Sequence, residues 1–75
     1  MKYYEAFIER GTFERGDLFK LAEAIAAFYG HRKYLPDIKK VIVHENDEEA
    51  ILQETAFQRF CIHTQDKFNQ LRREQ

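Results

Sequence analysis

The clearest periodicity in the chain lies between Asp17 and Gly30. Apolar residues recur there at steps of three and four, which is the spacing of one face of an α-helix. These residues are Leu18, Leu21, Ala22, Ile25, Phe28 and Tyr29. Asp17 can accept a hydrogen bond from the first turn, and Gly30 stands where helices commonly end. The pattern predicts a helix over residues 17–29.

A second amphipathic stretch occupies the C-terminal part of the chain. Its apolar stripe consists of Ala50, Phe57, Cys61, Thr64, Phe68 and Leu71, with Phe60 beside it. Asn46 and Glu49 have the spacing of a capping box, while Arg72 and Arg73 suit the negative end of a helix dipole. We therefore predict one long helix over residues 47–72 that begins at a cap on Asn46.

Residues 3–10 and 36–44 fit either a helix or a strand. In the first segment, aromatic and aliphatic residues repeat at helical spacing, yet they are also good strand formers. In the second, Pro36 suits the first turn of a helix, whereas the β-branched run 41–43 suits a strand. The helical interpretation is favoured, because a strand over residues 38–45 would carry apolar residues on both of its faces.

These elements predict a mainly α fold, a small bundle of three to four helices with a long C-terminal helix. The alternative is an α+β fold in which two or three short strands near 3–9 and 38–44 pack on two helices. A length of 75 residues leaves room for a single small domain over residues 1–75.

Charge and cysteine content narrow the function classes only a little. Twelve basic residues against 13 acidic ones give a net charge of −1, so the whole chain exerts no general attraction on nucleic acid or acidic membranes. The single Cys61 excludes an internal disulfide and favours a reducing, cytoplasmic location. No apolar run approaches the roughly 18 residues of a membrane span, and the start of the chain lacks a signal-peptide core.

The residues that commonly carry catalysis or bind metals are poorly spaced for either task. Cys61 and His63 are two positions apart, so on a helix they point to different sides and share neither a metal nor a proton. Gly11 and Gly16 lack the spacing and the lysine of a phosphate-binding loop. We expect no catalytic residues, no cofactor and no metal, and therefore no enzyme.

The segment between the two clear helices is locally basic and contains a tyrosine. The candidate interaction residues are Arg32, Lys33, Tyr34, Lys39 and Lys40. An aromatic ring among cations can anchor a protein partner or stack a nucleic-acid base. The competing interpretation is structural: Arg32 and Lys33 complement the end of the first helix, and Tyr34 belongs to the core.

The predicted C-terminal helix also raises the question of self-association. Twenty-six helical residues would extend for roughly 39 Å, whereas a compact chain of this length is about 29 Å across. Its distal residues would then be exposed, and a second copy would cover them. We expect a homodimer with contacts at Phe60, Phe68 and Leu71, unless residues 3–10 cover this end instead.

Together these observations predict a non-catalytic protein–protein interaction module. It would be a small regulator or inhibitor that occludes a partner surface, of the kind that phages and other mobile elements encode. The alternative is a nucleic-acid-binding or nucleoprotein accessory factor that uses the basic segment 31–40. Retention on heparin at low salt would favour the alternative.

Overall fold

Two β-hairpins, each followed by a helix, build the chain. The computed structural model describes residues 1–32 and 34–74. The elements in chain order are β1 Lys2–Ile8, β2 Gly11–Arg15, α1 Leu18–Tyr29, β3 Lys40–Glu45, β4 Glu48–Ile51 and α2 Glu54–Arg73. Within these residues the strands form one antiparallel sheet in the order β2-β1-β3-β4. The fold is therefore α+β: the prediction of a mainly α bundle was wrong, and its alternative describes the chain better.

The two ambiguous segments contain the central strands of the sheet. Helices over 3–10 and 36–44 were wrong predictions, because β1 pairs with β3 from Lys2↔Glu45 to Phe7↔Lys40. Ala6 in β1 and Val41 in β3 are fully buried on the side of the helices. The opposite face also carries apolar side chains, and this two-sided pattern concealed the alternation that normally identifies a strand.

A tight turn replaces the predicted start of the long helix. Asn46 and Asp47 connect β3 to β4, and both have positive φ angles, 52° and 64°. Two-residue hairpin loops of this type need left-handed backbone at both positions, which Asn and Asp tolerate better than most residues. The helix over 47–72 and its cap at Asn46 were wrong at their N-terminal end, since α2 begins only at Glu54.

The first helix is confirmed in its extent and in its cap. Asp17 precedes α1 and its carboxylate accepts a hydrogen bond from the backbone N–H of Lys20 at 3.0 Å. Gly30 follows Tyr29 and ends the helix, as expected, but with a φ of −60°. Gly30 is therefore in right-handed backbone, and the helix ends without the left-handed residue that glycine usually supplies there.

Both helices lie on the same face of the sheet. α1 packs on β1 and β2, and α2 packs along α1. The buried core contains Ala6, Ile8, Leu21, Ala22, Ile25, Ala26, Tyr29, Val41, Phe60 and Phe68. The apolar stripe of α2 thus faces the chain's own core. No helix of the described residues is long and apolar enough to cross a membrane.

Candidate functional site

The face of the sheet turned away from the helices has no layer over it within the described residues. We call this surface the open face. Strand alternation and the pairing register place on it Tyr3, Glu5, Phe7, Thr12, Glu14, Lys40, Ile42, His44, Glu49 and Ile51. It combines aromatic, aliphatic and acidic side chains. A sheet face that only meets water is normally polar throughout, so the composition of the open face requires a functional explanation.

Tyr3, His44 and Glu5 form the most ordered cluster on the open face. Tyr3 and His44 are directly opposite each other on β1 and β3, and their rings stack with centroids 4.4 Å apart and planes 6° apart. The imidazole Nε2 of His44 lies 2.9 Å from Oε1 of Glu5. These contacts cross the two central strands and hold the three side chains in one arrangement.

Carboxylates surround the Tyr3 phenol. Partial burial raises the pKa of Tyr3, and the negative charges of Glu14, Glu5 and Glu49 raise that pKa further. Glu14 lies directly opposite Glu5, and Glu49 lies directly opposite His44. The three glutamates come from three different strands, so only the folded sheet brings them together.

The other half of the open face is apolar. Ile42 and Ile51 are paired across β3 and β4; Ile42 is buried, with 9% exposure, and Ile51 is 72% exposed. Lys40 holds its ammonium group 4.9 Å from the centre of the Phe7 ring, a cation–π contact. The open face therefore changes from apolar and basic at Lys40 to acidic at Glu49.

The candidate interaction residues that the structure describes lie near one end of the sheet. Arg32 places its guanidinium over Phe28 and Tyr29, at 5.1 and 5.6 Å from the ring centres. Tyr34 is 61% exposed, and its hydroxyl lies 3.5 Å from the Glu9 carboxylate. The exposure contradicts the interpretation in which Tyr34 belongs to the core.

Lys39 and Lys40 lie at the start of β3, next to the end of β1. The backbone N–H of Lys39 donates to the carbonyl oxygen of Phe7 at 2.8 Å, and Lys40 projects onto the open face. Lys33, the remaining candidate, lies outside the described residues.

Two further arginines join this region from distant parts of the sequence. Arg72 of α2 donates from Nη1 to the backbone carbonyl of Arg32 at 2.5 Å. Arg10, in the turn after β1, lines a cavity of about 320 Å³ together with Arg32 and Phe28. We call Arg10, Arg32, Tyr34, Lys39, Lys40 and Arg72 the basic end. The linear sequence gave no indication of Arg10 or Arg72, because tertiary contacts place them here.

The expected dimer contacts are covered within the single chain. Phe60 and Phe68 are 3% and 4% exposed, and Leu71 is half-buried against the same core. The argument that they would face water in a monomer was wrong, since α2 is shorter than expected and packs along α1. Association of two copies stays a prediction, but it no longer follows from these residues.

Among residues 1–32 and 34–74, no three His, Cys, Asp or Glu residues are arranged to hold a metal ion. Partial burial raises the pKa of the Cys61 thiol, and the charge of Asp37 adds to this effect. A raised pKa lowers the thiolate fraction near neutral pH, which is the opposite of what a nucleophile needs.

Apart from Lys40, the residues of the open face were absent from the candidates drawn from the sequence. The sequence feature that could have identified them is the alternation of Tyr3, Glu5 and Phe7, because alternate residues of a strand lie on the same face of a sheet. This feature becomes recognisable only when residues 2–8 are known to form a strand. Comparisons with known proteins add no functional information: no family model, no curated protein and no solved structure matches this chain.

Proposed function

We propose that this protein is a non-catalytic interaction module that binds a partner protein through the open face. The observation that carries the proposal is the uncovered sheet face on which Ile51, 72% exposed, and the half-buried Phe7 lie beside an ordered aromatic and acidic cluster. Exposed apolar residues in such a group mark interaction surfaces more often than scattered ones do. A chain of this size would act by covering a functional surface of its partner, as a small regulator or inhibitor does.

The edge of the sheet supports the same proposal. β4 is the last strand in the sheet order and all four of its residues are exposed. Its outer backbone groups can pair with an added strand, a common mode of peptide recognition. Ile51 lies on this strand and on the open face at once, so a partner could use the edge and the apolar surface together.

Two exposed isoleucines offer a matched test. Ile51 is 72% exposed on the open face, and Ile62 is 61% exposed on α2. Tagged full-length chain, Ile51→Asp and Ile62→Asp are each used to capture proteins from a lysate of the cells that encode the chain. We expect a stoichiometric partner that is retained by the wild type and by Ile62→Asp and is lost with Ile51→Asp. Equal capture by all three, or loss with Ile62→Asp alone, contradicts the proposal.

A second candidate function, binding of nucleic acid, is favoured by the basic end. Arg10 and Arg72 add two cations to the segment that the sequence indicated, and Phe28 and Tyr34 supply exposed aromatic rings. Cations that contact phosphates and rings that stack on bases are the components of single-strand recognition. The acidic half of the open face would repel the same ligand, so this function would be restricted to one end of the molecule.

Salt-dependent binding separates the two functions. If the basic end binds nucleic acid, a labelled single-stranded oligonucleotide should bind the wild type at low salt, and the affinity should fall steeply as salt rises. The variant Lys39→Gln/Arg72→Gln should then bind at least about threefold more weakly and with a smaller salt slope. Passage through heparin at low salt without retention contradicts this second function.

A cytoplasmic location, expected from the single cysteine, stays a prediction under either function.

A further inference from the structure

We infer that the partner segment on the open face is amphipathic and basic, and that one of its arginine or lysine side chains lies against the Tyr3–His44 ring pair. The inference rests on the proposed function and names the chemistry of the partner. It commits to a single segment, a helix of a few turns or one strand, with cationic side chains at one end and apolar side chains at the other.

The charge distribution on the open face supports a cationic partner. Glu5 lies two residues from Tyr3 on β1, Glu14 lies directly opposite Glu5, and Glu49 lies directly opposite His44. Their charges raise the pKa of Tyr3. Lys40, the lysine of the open face, lies beyond Phe7 at the opposite end of the surface. A cation placed near Tyr3 would therefore meet three carboxylates, of which Glu5 already contacts the His44 imidazole, and electrostatic complementarity of this kind selects partners.

A cavity beside the ring pair provides room for a long side chain. Tyr3 and His44 line it together with Met1 and with Glu45, Asn46 and Asp47 of the β3–β4 hairpin, and its volume is about 350 Å³. A guanidinium stacks on aromatic faces and pairs with carboxylates in one plane. Aromatic rings and carboxylates thus occur together beside this cavity, where an arginine side chain can contact both.

The apolar half of the open face determines the rest of the segment. Ile42 and Ile51 are adjacent across β3 and β4. Leucine or isoleucine side chains of the partner would remove Ile51, which is 72% exposed, from water, whereas Ile42 is already buried within the chain. Apolar contacts at Ile51 would supply affinity and the charges would supply orientation.

The dimensions of the open face fit a single segment better than a second globular chain. Four strands about 4.8 Å apart and about five residues long cover roughly 300 Å². A stable interface between globular proteins buries about 800 Å² on each partner. A helix is about 10 Å wide and three turns are about 16 Å long, so such a helix covers roughly half of this face.

Two other occupants fit less well. A second copy would present Lys40 as the only lysine or arginine of its own open face, against three glutamates. A nucleic acid would bring phosphates to Glu5, Glu14 and Glu49, where like charges repel. Both occupants remain measurable outcomes of the experiment below.

The test is a titration of the isotope-labelled full-length chain with designed peptides, followed by nuclear magnetic resonance. The first peptide is an amphipathic leucine–arginine helix of about four turns, and the second has glutamine in place of every arginine. Glu49→Lys removes a carboxylate of the open face. Glu48→Lys is the matched control, because it adds the same charge at the neighbouring residue on the other face of β4.

We expect saturable shifts at the amides of residues 3–7, 42–44 and 49–51 with the arginine peptide and much smaller shifts with the glutamine peptide. Glu49→Lys should weaken binding at least about tenfold and Glu48→Lys less than about threefold, since only one of the two carboxylates faces the ligand. Equal losses from the two variants would indicate non-specific attraction and overturn the inference. Shifts on the helices, shifts on the open face with a single-stranded oligonucleotide, or no binding by either peptide would overturn it too.

The capture experiment with Ile51→Asp shows whether only the basic partner segment is wrong or the proposed function as a whole is wrong. If Ile51→Asp loses a partner that Ile62→Asp keeps, while the arginine peptide does not bind, the interaction module stands and the basic segment is wrong. If Ile51→Asp loses no partner, the proposed function itself is wrong.

Discussion

Tyr3 and His44 face each other across the two central strands with their rings nearly parallel, 4.4 Å between centroids. This contact connects the start of β1 to the end of β3, which are 41 residues apart in the sequence. Oε1 of Glu5 lies 2.9 Å from Nε2 of the same imidazole. His44 is therefore held both by the ring stack with Tyr3 and by its contact with Glu5. This partly buried cluster is arranged before any partner arrives, which reduces the entropy lost on binding.

The β3–β4 turn gives a test of backbone conformation. Asp47 has a φ of 64°, in the left-handed region that glycine enters without steric cost. We expect Asp47→Gly to stabilise the chain by up to about 1 kcal/mol, whereas glycine in the first turn of a helix would destabilise it by a similar amount. Thermal or denaturant unfolding measures the difference. A lower stability for Asp47→Gly would contradict the hairpin and support a helix that starts at Asn46.

The sequence predicted α1 well because its signals are local. Asp17 provides the cap, and Leu21 and Ile25 form a buried face with a polar face opposite, so the segment needs no information from elsewhere in the chain. The stripe of α2 was also correct from Phe57 onward. Its start was wrong because Asn46 and Glu49 satisfy two motifs equally, a capping box and a hairpin turn, and pairing with β3 decides between them.

The candidate site was much less predictable than α1. The open face depends on the register between strands that are far apart in sequence, such as Glu5 opposite both Glu14 and Ile42. Its apolar members also made β1 and β3 resemble helices, since residues on both faces of the strands are hydrophobic. Local sequence patterns therefore failed to predict the strands that carry the proposed binding surface. Such failures are common at functional sites, because residues there are retained for binding and not for the fold.

Truncation of two aromatic residues should have very different consequences. Phe68 is 4% exposed and packs in the core, so Phe68→Ala should cost about 3–5 kcal/mol of unfolding free energy. Tyr34 is 61% exposed, so Tyr34→Ala should cost about 0.5 kcal/mol or less. Denaturant unfolding of the two variants compares them directly. If Tyr34→Ala lowers the unfolding free energy by several kcal/mol, Tyr34 belongs to the core, and its placement at the basic end is wrong.

Charge insertion at the same core position tests the role assigned to the α2 stripe. Phe68→Asp should unfold the chain, because an ionised carboxylate would be buried without a partner. Circular dichroism together with light scattering distinguishes this outcome from dissociation. A well-folded Phe68→Asp chain of half the wild-type mass would instead support the homodimer expected from the sequence.

The thiol of Cys61 should react slowly. Partial burial and Asp37 raise its pKa, so the thiolate fraction at pH 8 is smaller than that of an unperturbed cysteine. Alkylation by iodoacetamide measures this fraction together with access. Asp37→Asn should lower the pKa and accelerate the reaction, whereas Asp47→Asn, in the distant hairpin, should leave the rate unchanged. Equal rates for the wild type and Asp37→Asn would exclude the carboxylate as a cause.

The Tyr3 phenol provides a test of the electrostatics of the open face itself. Its pKa is raised in the folded chain by partial burial and by Glu14, Glu5 and Glu49. Above pH 10 the unfolded chain therefore releases this proton before the folded chain does, so the folded state binds more protons and stability falls as pH rises. The contribution of Tyr3 is fully present below pH 10 and is lost as pH increases through the folded pKa.

The variant Tyr3→Phe should therefore lose less stability than the wild type between about pH 10 and pH 12, since it lacks the proton in question. Phenylalanine retains a ring for the stack on His44, so the two proteins should be compared by the slope of stability against pH and not by its absolute value. Tyr34→Phe, which removes an exposed phenol, is the matched control and should keep the wild-type slope. Glu14→Gln should reduce the slope partially, because it removes the largest of the charge effects on Tyr3. Identical slopes for the wild type and Tyr3→Phe would mean that the three carboxylates do not act on this residue, and the electrostatic argument for a cationic partner would lose its basis.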